Sequence, residues 1–165
     1  MLRLVPVKPA PGQESVWDYP RPPRLESAGV HIVIRFGGEI IAETRNALRM
    51  LETSHPPTYY LPPGDVESSF LHPLEKRSFC EWKGSARYFD VVAGGCRAEG
   101  AAWTYKSPSE TFPELRDHIA FYAGCMSECL VDGERAKPQP GGFYGGWVTS
   151  KVVGPFKGEP GSWGW

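Results

Sequence analysis

Apolar and polar side chains alternate most regularly between residues 30 and 36, the segment VHIVIRF. A period of two is typical of a β-strand with one buried face. Gly37 and Gly38 then supply a two-residue turn and residues 39–44 return as a second strand, which together predict a β-hairpin. The same criteria predict further strands at residues 47–53, 78–83, 87–92, 101–105, 119–122 and 126–131, with turns at Gly84, at Gly94 and Gly95, and at Asp132 and Gly133. The chain is therefore predicted to be all-β and mainly antiparallel.

Helical signals are short and isolated. Residues 64–70 follow a proline pair and have room for one or two turns. A second short helix is predicted through Pro113 to Leu115, capped by Ser109 or Thr111, because proline is tolerated in the first turn of a helix. Both helices are expected to act as connectors between strands.

Both ends of the chain are rich in residues that break regular structure. Residues 1–29 contain six prolines, so this arm is expected to lie extended on the domain, held there by Trp17 and Tyr19. Residues 138–165 combine twelve glycines and prolines with six aromatic side chains, which favours an irregular wrap around the domain. The expected anchors of this wrap are Phe143, Tyr144, Trp147 and Phe156. Residues 30–137 then form the β core of a single domain.

Composition narrows the choice of partners. The 165 residues include 18 basic and 19 acidic side chains, and the basic ones form no stripe, so a nucleic-acid partner is not expected. No apolar run approaches the roughly 20 residues that span a bilayer, and the first residues lack a secretory pattern. The sequence predicts a soluble cytoplasmic protein whose partner is a small molecule of unknown identity, and it leaves a homodimer open.

The four cysteines raise the question of a metal. Structural zinc sites usually present paired C-x2-4-C knuckles. Only Cys125 and Cys129 approach that spacing, while Cys80 and Cys96 stand apart. We therefore predict no metal and no cofactor, with zinc bound through Cys125 and Cys129 as a weaker alternative.

Residues 52–66, ETSHPPTYYLPPGDV, gather prolines, aromatic rings and reactive side chains. Two proline pairs stiffen the backbone, which lowers the entropy cost of holding a site in shape. His55 suits acid–base chemistry, although a lone histidine beside prolines is more often a surface residue. Glu52 is equally suited to a structural ion pair with Lys83 or Arg87.

A group of aromatic residues is predicted around the strand that contains Trp103. Trp103 and Tyr105 share one face of that strand, and Trp82 and Tyr88 come from the neighbouring hairpin. If these faces converge, they form an aromatic cage suited to a flat or cationic ligand, although most of the 21 aromatic side chains must fill a core. The predicted ligand-binding residues are Glu52, Tyr59, Tyr60, Lys83, Tyr88 and Trp103.

Cys80 and Lys83 are side chains whose nucleophilicity depends on their surroundings. Because they are three residues apart on a predicted strand, they point to opposite faces unless a bulge intervenes. Lys83 beside Gly84 suits an anion-binding point, and a buried core thiol is the commonest role for a free cysteine. The candidate catalytic residues are Cys80, His55 and Glu52, although the sequence contains none of the common catalytic motifs.

The sequence resembles a bacterial family called domain of unknown function 427. The blocks that carry the resemblance are residues 16–20, 52–63, 79–84 with Ala86 and Tyr88, 102–105 and 119–122. Many members have Cys-Pro-Tyr-Lys-Gly in the third block, where this chain has Glu81 and Trp82. The resemblance implies a compact Mss4-like or β-tent-like fold in which two antiparallel sheets meet at an angle.

That fold group includes methionine sulfoxide reductases of the B type, zinc-knuckle domains and small-ligand-binding domains. The paired CxxC knuckles of these relatives are missing from this sequence, and nothing assigns Cys80 the role of a reductase nucleophile. The family also carries a nucleotidyltransferase-like label, which the sequence does not support because its aspartates are not paired for metal binding. The isolated aspartates are Asp65, Asp90, Asp117 and Asp132.

Three functions follow from these observations. The leading prediction is a binding module that takes a small anionic or aromatic ligand in an aromatic-lined pocket. The first alternative is an enzyme with Cys80 as nucleophile and His55 or Glu52 as the acid or base. The second alternative is a protein-interaction domain that docks a partner through its terminal tails.

Overall fold

The computed structural model describes residues 4–165 of the chain. The strands are, in chain order, β1 (Glu14–Ser15), β2 (Arg24–Ser27), β3 (Ile32–Phe36), β4 (Glu39–Thr44), β5 (Leu48–Leu51), β6 (Thr58–Tyr60), β7 (Leu71–Cys80), β8 (Gly84–Ala93), β9 (Cys96–Thr104), β10 (Ile119–Phe121), β11 (Glu128–Val131), β12 (Glu134–Arg135), β13 (Lys137–Pro138), β14 (Trp147–Val148) and β15 (Val152–Val153). The helical segments are single 3₁₀ turns at Val16–Asp18, Pro63–Asp65, Ser68–Phe70, Pro113–Leu115 and Ala123–Cys125. The predicted all-β class is confirmed, with several antiparallel sheets and no closed barrel among the described residues.

Three sheets form the body of the protein. The cleft sheet has the strand order β10-β9-β8-β7, the core sheet has the order β12-β11-β3-β4, and the small sheet has the order β2-β5-β6. A backbone bridge between Leu61 and Ile119 joins the end of β6 to β10. The small sheet therefore extends from the edge of the cleft sheet.

The predicted hairpin of β3 and β4 is present, with Gly37 and Gly38 as its turn. The strand predicted at residues 78–83 differs most from the structure. Strand β7 begins at Leu71, and residues 81–83 form the turn, so that Gly84 opens β8 instead of forming the predicted turn. Pro73 is tolerated inside β7 because β7 is an edge strand, where a missing N–H leaves no ladder bond unmade. Strand β6 was not predicted because prolines flank it on both sides.

The helical predictions are confirmed only as 3₁₀ turns. Residues 64–70 contain parts of two separate turns rather than one helix. The turn at Pro113–Leu115 begins after Phe112, and no side chain caps it, so the predicted cap by Ser109 or Thr111 is wrong. Phe112 occupies the cap position, and its side chain is buried. No helix within residues 4–165 is both long enough and apolar enough to cross a membrane.

The cleft sheet separates two groups of buried side chains. Ala102 and Phe121 point to the main core, which the core sheet covers. Their neighbours Trp103 and Ala120 point to the opposite face and belong to a second cluster. Because successive side chains on a strand alternate between faces, β8, β9 and β10 each contribute side chains to both groups. The second cluster consists of Met50, Tyr60, Ala86, Trp103, Tyr105, Phe112, Leu115 and Ala120.

The N-terminal arm packs on the domain through residues 14–19. Val16 and Tyr19 are buried, and the indole Nε1 of Trp17 donates to the carbonyl oxygen of Pro155 at 2.9 Å. Strand β1 pairs in parallel with β15, so the N-terminal and C-terminal arms are joined by strand pairing.

The C-terminal arm is anchored by Trp147. Its side chain is fully buried, and its indole Nε1 donates to the carbonyl oxygen of Phe121 at 2.9 Å. Tyr144 and Phe156 are half-buried. Phe143 is 76% exposed, so its predicted role as an anchor is wrong. It lies in the glycine-rich segment 141–146, which turns away from the main core to cover the cleft described below.

Two hairpin turns touch through their backbones. A Cβ atom on Gly37 would lie 2.1 Å from the carbonyl oxygen of Ala93, and one on Gly94 would lie 1.8 Å from that of Gly37. Both glycines have positive φ angles of 60° and 57°. The contact locks the tip of the core sheet against the tip of the cleft sheet, and only glycine permits it.

We predict that Gly37→Ala destabilises the protein by clearly more than Gly38→Ala. Both positions have positive φ, which costs an L-residue about 1–2 kcal/mol, but a Cβ on Gly38 meets no atom within 4 Å. Gly37→Ala adds a backbone overlap, and we expect a total loss on the order of 3 kcal/mol or more. Urea unfolding of both variants measures the difference, and equal losses would show that the tips are not in contact.

Candidate functional site

An open cleft of about 1300 Å³ borders the second cluster. Its floor is the face of the cleft sheet that points away from the main core. One wall comes from β5, β6 and the residues between them. Residues 138–145, named here the roof loop, cover part of the cleft, and Arg21, Lys157 and Trp165 reach it from the two arms.

Aromatic rings cover the floor because alternate residues of adjacent strands share one face. Trp103 lies opposite Tyr88 in the register of β9 and β8. The rings of Trp103 and Tyr122 lie 4.6 Å apart between centroids, and Tyr105 continues the face of Trp103 two residues along the chain. Burial raises the pKa of both Tyr105 and Tyr122, so their hydroxyls stay protonated at neutral pH.

Tyr60 lies on β6 in the wall and packs against two rings of the floor. Its ring centroid lies 6.4 Å from that of Trp103 and 6.2 Å from that of Tyr105. Its hydroxyl is buried and has no hydrogen-bond partner in the described part of the chain. Burial raises the pKa of Tyr60, so this hydroxyl also remains a hydrogen-bond donor. An unpartnered buried donor costs stability, typically about 1–3 kcal/mol.

Tyr59, predicted as a ligand-binding residue, does not line the cleft. Its ring lies 5.2 Å from that of Trp147 and belongs to the main core. The reason is the strand period of two, which turns Tyr59 and Tyr60 to opposite faces of β6. The other five residues of the predicted set, Glu52, Tyr60, Lys83, Tyr88 and Trp103, all line the cleft.

The predicted ion pair of Glu52 with Lys83 or Arg87 is not formed. Instead, a carboxylate oxygen of Glu52 lies 3.8 Å from Nε2 of His55, three residues along the chain. Among residues 4–165, Lys83 forms no ion pair at all. Glu52 faces the cleft because Met50, two residues earlier on β5, already points to that side.

His55 lies in the wall of the cleft and not on the outer surface that its proline neighbours suggested. Its side chain is only 18% exposed, and its ring packs edge-on against Tyr144 at 5.1 Å. Burial lowers the pKa of His55, and the positive charges of Lys83, Lys157 and Arg21 lower it further, while Glu52 opposes the shift. His55 is therefore neutral at neutral pH.

Gln139 determines which nitrogen of His55 holds the proton. The buried Gln139 amide oxygen accepts from the backbone N–H of Gly146, while its Nε2 donates to the carbonyl oxygen of Lys157 at 2.9 Å. These two bonds fix the orientation of the amide, so the same Nε2 also donates to Nδ1 of His55 at 2.9 Å. Nδ1 is thus an acceptor, and the imidazole proton lies on Nε2.

Cys80 is half-buried at the end of β7 and lines the cleft, so it is not the core thiol that free cysteines usually are. Lys83 lines the same cleft. The opposite-face expectation does not apply to this pair because Lys83 lies in the turn after β7 and not on the strand. No hydrogen bond joins Cys80 to His55 or Glu52 in the part of the chain that the structure describes.

The thiols Cys125 and Cys129, considered as zinc ligands, differ in environment. Cys125 is exposed, whereas Cys129 is buried and burial raises its pKa to about 12. A thiol binds metal as the thiolate, which such a pKa disfavours. Residues 4–165 contain no group of three or more His, Cys, Asp or Glu side chains placed to hold a metal ion.

The roof loop was not predicted as part of the site. A Cβ on Gly145 would lie 2.1 Å from the indole of Trp103, so the loop approaches the ring closely only because this residue is glycine. The repeated glycines at residues 141–146 are a signal for such an approach, but the sequence does not say what they approach. Tyr122 was also not predicted as a site residue. It follows Phe121 in the chain, so its side chain points to the opposite face from that core residue.

These features define an all-β protein with an open, aromatic-lined cleft between its β core and its C-terminal arm. The family model described as domain of unknown function (DUF427) matches residues 24–132, and the chain belongs to that family. The match includes the floor and wall of the cleft but ends before the roof loop. A comparison with curated proteins finds no match.

We predict that His55 makes the protein less stable in acid. Because its pKa is lower in the folded than in the unfolded chain, the associated stability is fully present above about pH 6.5 and is lost as the pH falls through the folded value. His55→Asn keeps an acceptor for Gln139 but does not titrate. The measurement is urea unfolding at about pH 7.5 and about pH 5, on either side of the usual histidine pKa. The free energy of unfolding should fall less between these two pH values in His55→Asn than in the wild type.

The matched control is His72→Asn, because His72 is exposed and lies outside the cleft. It should lose as much stability in acid as the wild type. If the free energy of unfolding of His55→Asn falls in acid by as much as that of the wild type, the assignment of a neutral, buried imidazole is contradicted.

Proposed function

We propose that the protein binds a small molecule carrying a flat aromatic group, with the ring seated on the floor of the cleft against Trp103. The observation that carries this proposal is a sheet face whose side chains Trp103, Tyr105, Tyr122 and Tyr88 line the cleft, with Tyr88 and Tyr122 half-buried and Trp103 and Tyr105 more deeply buried. Protein interiors are close-packed, and an aromatic surface facing a cleft is typical of ligand pockets.

The polar groups of the cleft support recognition rather than simple packing. Tyr105 and Tyr122, which both line the cleft, remain protonated donors. A few convergent polar groups within an aromatic lining are what orient a small ligand. The aromatic rings supply the contact area, and the hydroxyls fix the position.

The wall is stiff, which lowers the entropy cost of binding. Pro56 and Pro57 are both buried, and Pro57 accepts from the backbone N–H of Trp147 at 2.8 Å. This bond ties the wall to the fully buried anchor of the C-terminal arm. The site is therefore held in shape before a ligand arrives.

The test uses 1-naphthalenemethanol, a neutral two-ring probe, in a titration followed by two-dimensional ¹⁵N–¹H NMR. We expect shifts at residues of the cleft floor. Trp103→Phe should weaken binding about three- to tenfold, which corresponds to the roughly 0.5–1.5 kcal/mol of an aromatic contact. Trp163→Phe is the control, because Trp163 is 95% exposed and does not line the cleft.

Equal affinity of wild type and Trp103→Phe, or shifts confined to the surface around Trp163, would overturn the proposal. Thermal unfolding of both variants checks that the replacement of Trp103 leaves the fold intact.

The enzyme alternative has one observation in its favour, which is that Cys80, His55 and Glu52 all line the cleft. Against it, His55 uses Nδ1 to accept from Gln139 and holds its proton on Nε2. A base for a thiol needs a free nitrogen lone pair within hydrogen-bond reach. The arrangement favours His55 as a hydrogen-bond donor over His55 as a base.

We predict that Cys80 reacts with iodoacetamide no faster than free cysteine at neutral pH, since no side chain within residues 4–165 forms a hydrogen bond with its thiol. Peptide mass spectrometry separates Cys80 from Cys96, which is exposed and lies outside the cleft and so serves as an internal reference. The naphthalene probe should protect Cys80 and leave Cys96 unchanged. Faster alkylation of Cys80 than of free cysteine would favour the enzyme.

A further inference from the structure

The buried amide of Gln139 has a complete set of hydrogen-bond partners. Its oxygen accepts from the backbone N–H of Gly146 at 3.1 Å, and its Nε2 donates to the carbonyl oxygen of Lys157 and to Nδ1 of His55, both at 2.9 Å. Gln139 is only 2% exposed, so water does not replace a lost partner while the roof loop is in place. This one amide therefore joins the roof loop to the C-terminal arm and to the wall of the cleft.

A protonated imidazole does not fit this arrangement. Both ring nitrogens of a charged histidine are donors, so Nδ1–H of His55 points at the N–H group of Gln139. Rotation of the amide by a half-turn gives His55 an acceptor, but it sets the amide oxygen against the carbonyl oxygen of Lys157 and Nε2 against the N–H of Gly146. One mismatch is exchanged for two. Neither orientation of the amide accommodates the cation.

Glu52 offers the charged imidazole a partner at its other nitrogen. A carboxylate oxygen of Glu52 lies 3.8 Å from Nε2, whereas Gln139 occupies Nδ1. Protonation converts this contact into a charge-assisted one, which draws the ring toward Glu52 and away from the roof loop. Tyr144, the titratable side chain that packs on His55 from the roof loop at 5.1 Å, then loses that contact.

The surroundings of His55 favour its neutral form while the roof loop is closed. Burial lowers its pKa most, and the positive charges of Lys83, Lys157 and Arg21 lower it further, while the negative charge of Glu52 raises it. In an opened site the imidazole meets water and regains a pKa of about 6.5. Acid therefore shifts the balance from the closed toward the open arrangement.

We infer that His55 and Gln139 form a pH-sensitive switch, in which protonation of His55 breaks its bond to Gln139 and releases the roof loop from the wall of the cleft. A Cβ on Gly145 of this loop would overlap the indole of Trp103, so the closed loop lies directly on the floor. The switch controls access to that part of the floor. It belongs to the protein without a ligand and does not depend on the proposed function.

The test is hydrogen exchange at the backbone N–H of Gly146, followed by ¹⁵N–¹H NMR of the ligand-free protein at about pH 7.5 and about pH 5. The protection factor, which corrects for the pH dependence of chemical exchange itself, should fall about tenfold in acid. The internal control is the N–H of Leu61, which donates to the carbonyl oxygen of Ile119 at 2.8 Å and lies outside the roof loop. Its protection should change less.

Two variants identify the groups responsible. His55→Asn keeps an acceptor for Gln139 and does not titrate, so Gly146 should keep its protection in acid. Gln139→Glu loses the bond to Lys157 at both pH values, but its carboxylate accepts from protonated His55 and from Gly146. In that variant the pKa of His55, read from its ring nitrogen shifts, should rise above the wild-type value, and protection should no longer fall in acid. His72→Asn, at an exposed histidine outside the cleft, should behave as the wild type.

Three results would overturn the switch: no fall in protection at Gly146 of the wild type, an equal fall at Leu61, or a fall that persists in His55→Asn. A pKa of His55 that does not rise in Gln139→Glu would also contradict it. If Gln139→Glu does not fold, the comparison of His55→Asn with His72→Asn decides the question. Because no probe is added, these outcomes leave the proposed function to its own titration.

Discussion

The alternation of side chains between the two faces of the cleft sheet is the constraint on which both the core and the cleft depend. Ala102 and Phe121 face the main core, while Trp103 and Tyr122 face the cleft from adjacent positions. A shift of one residue in strand register would bury the floor of the cleft and expose the core. The stability of the fold therefore also fixes the aromatic surface that we propose binds a ligand.

The terminal arms cover part of that surface and so complete the cleft. Trp147 is fixed in the main core and positions the segment before it, whose roof loop lies over Trp103. The amide of Gln139 joins three parts of the protein, since it bonds to Gly146, Lys157 and His55. The same residue therefore holds the roof in place and orients the imidazole. The buried side chain of Gln139 thus affects both the shape of the cleft and the tautomer of His55.

Much of the fold was predictable from local patterns, because hairpin turns and a period of two need no tertiary information. Trp103 was placed on an aromatic face because its strand has a clear pattern, and it lines the cleft. Tyr59 and Tyr60 were grouped together because β6, flanked by prolines, was not recognised as a strand, although the two side chains point to opposite faces of it. Arg21 and Gln139 could not be predicted, because their roles arise from the packing of distant arms on the cleft.

The central claim, made under the proposed function, is that the cleft holds an aromatic ring against Trp103. A crystal structure of the protein soaked with 1-naphthalenemethanol tests it most directly. The account predicts density for the two-ring probe on the floor of the cleft, in contact with the indole of Trp103. Density for the probe at another surface of the protein would contradict it.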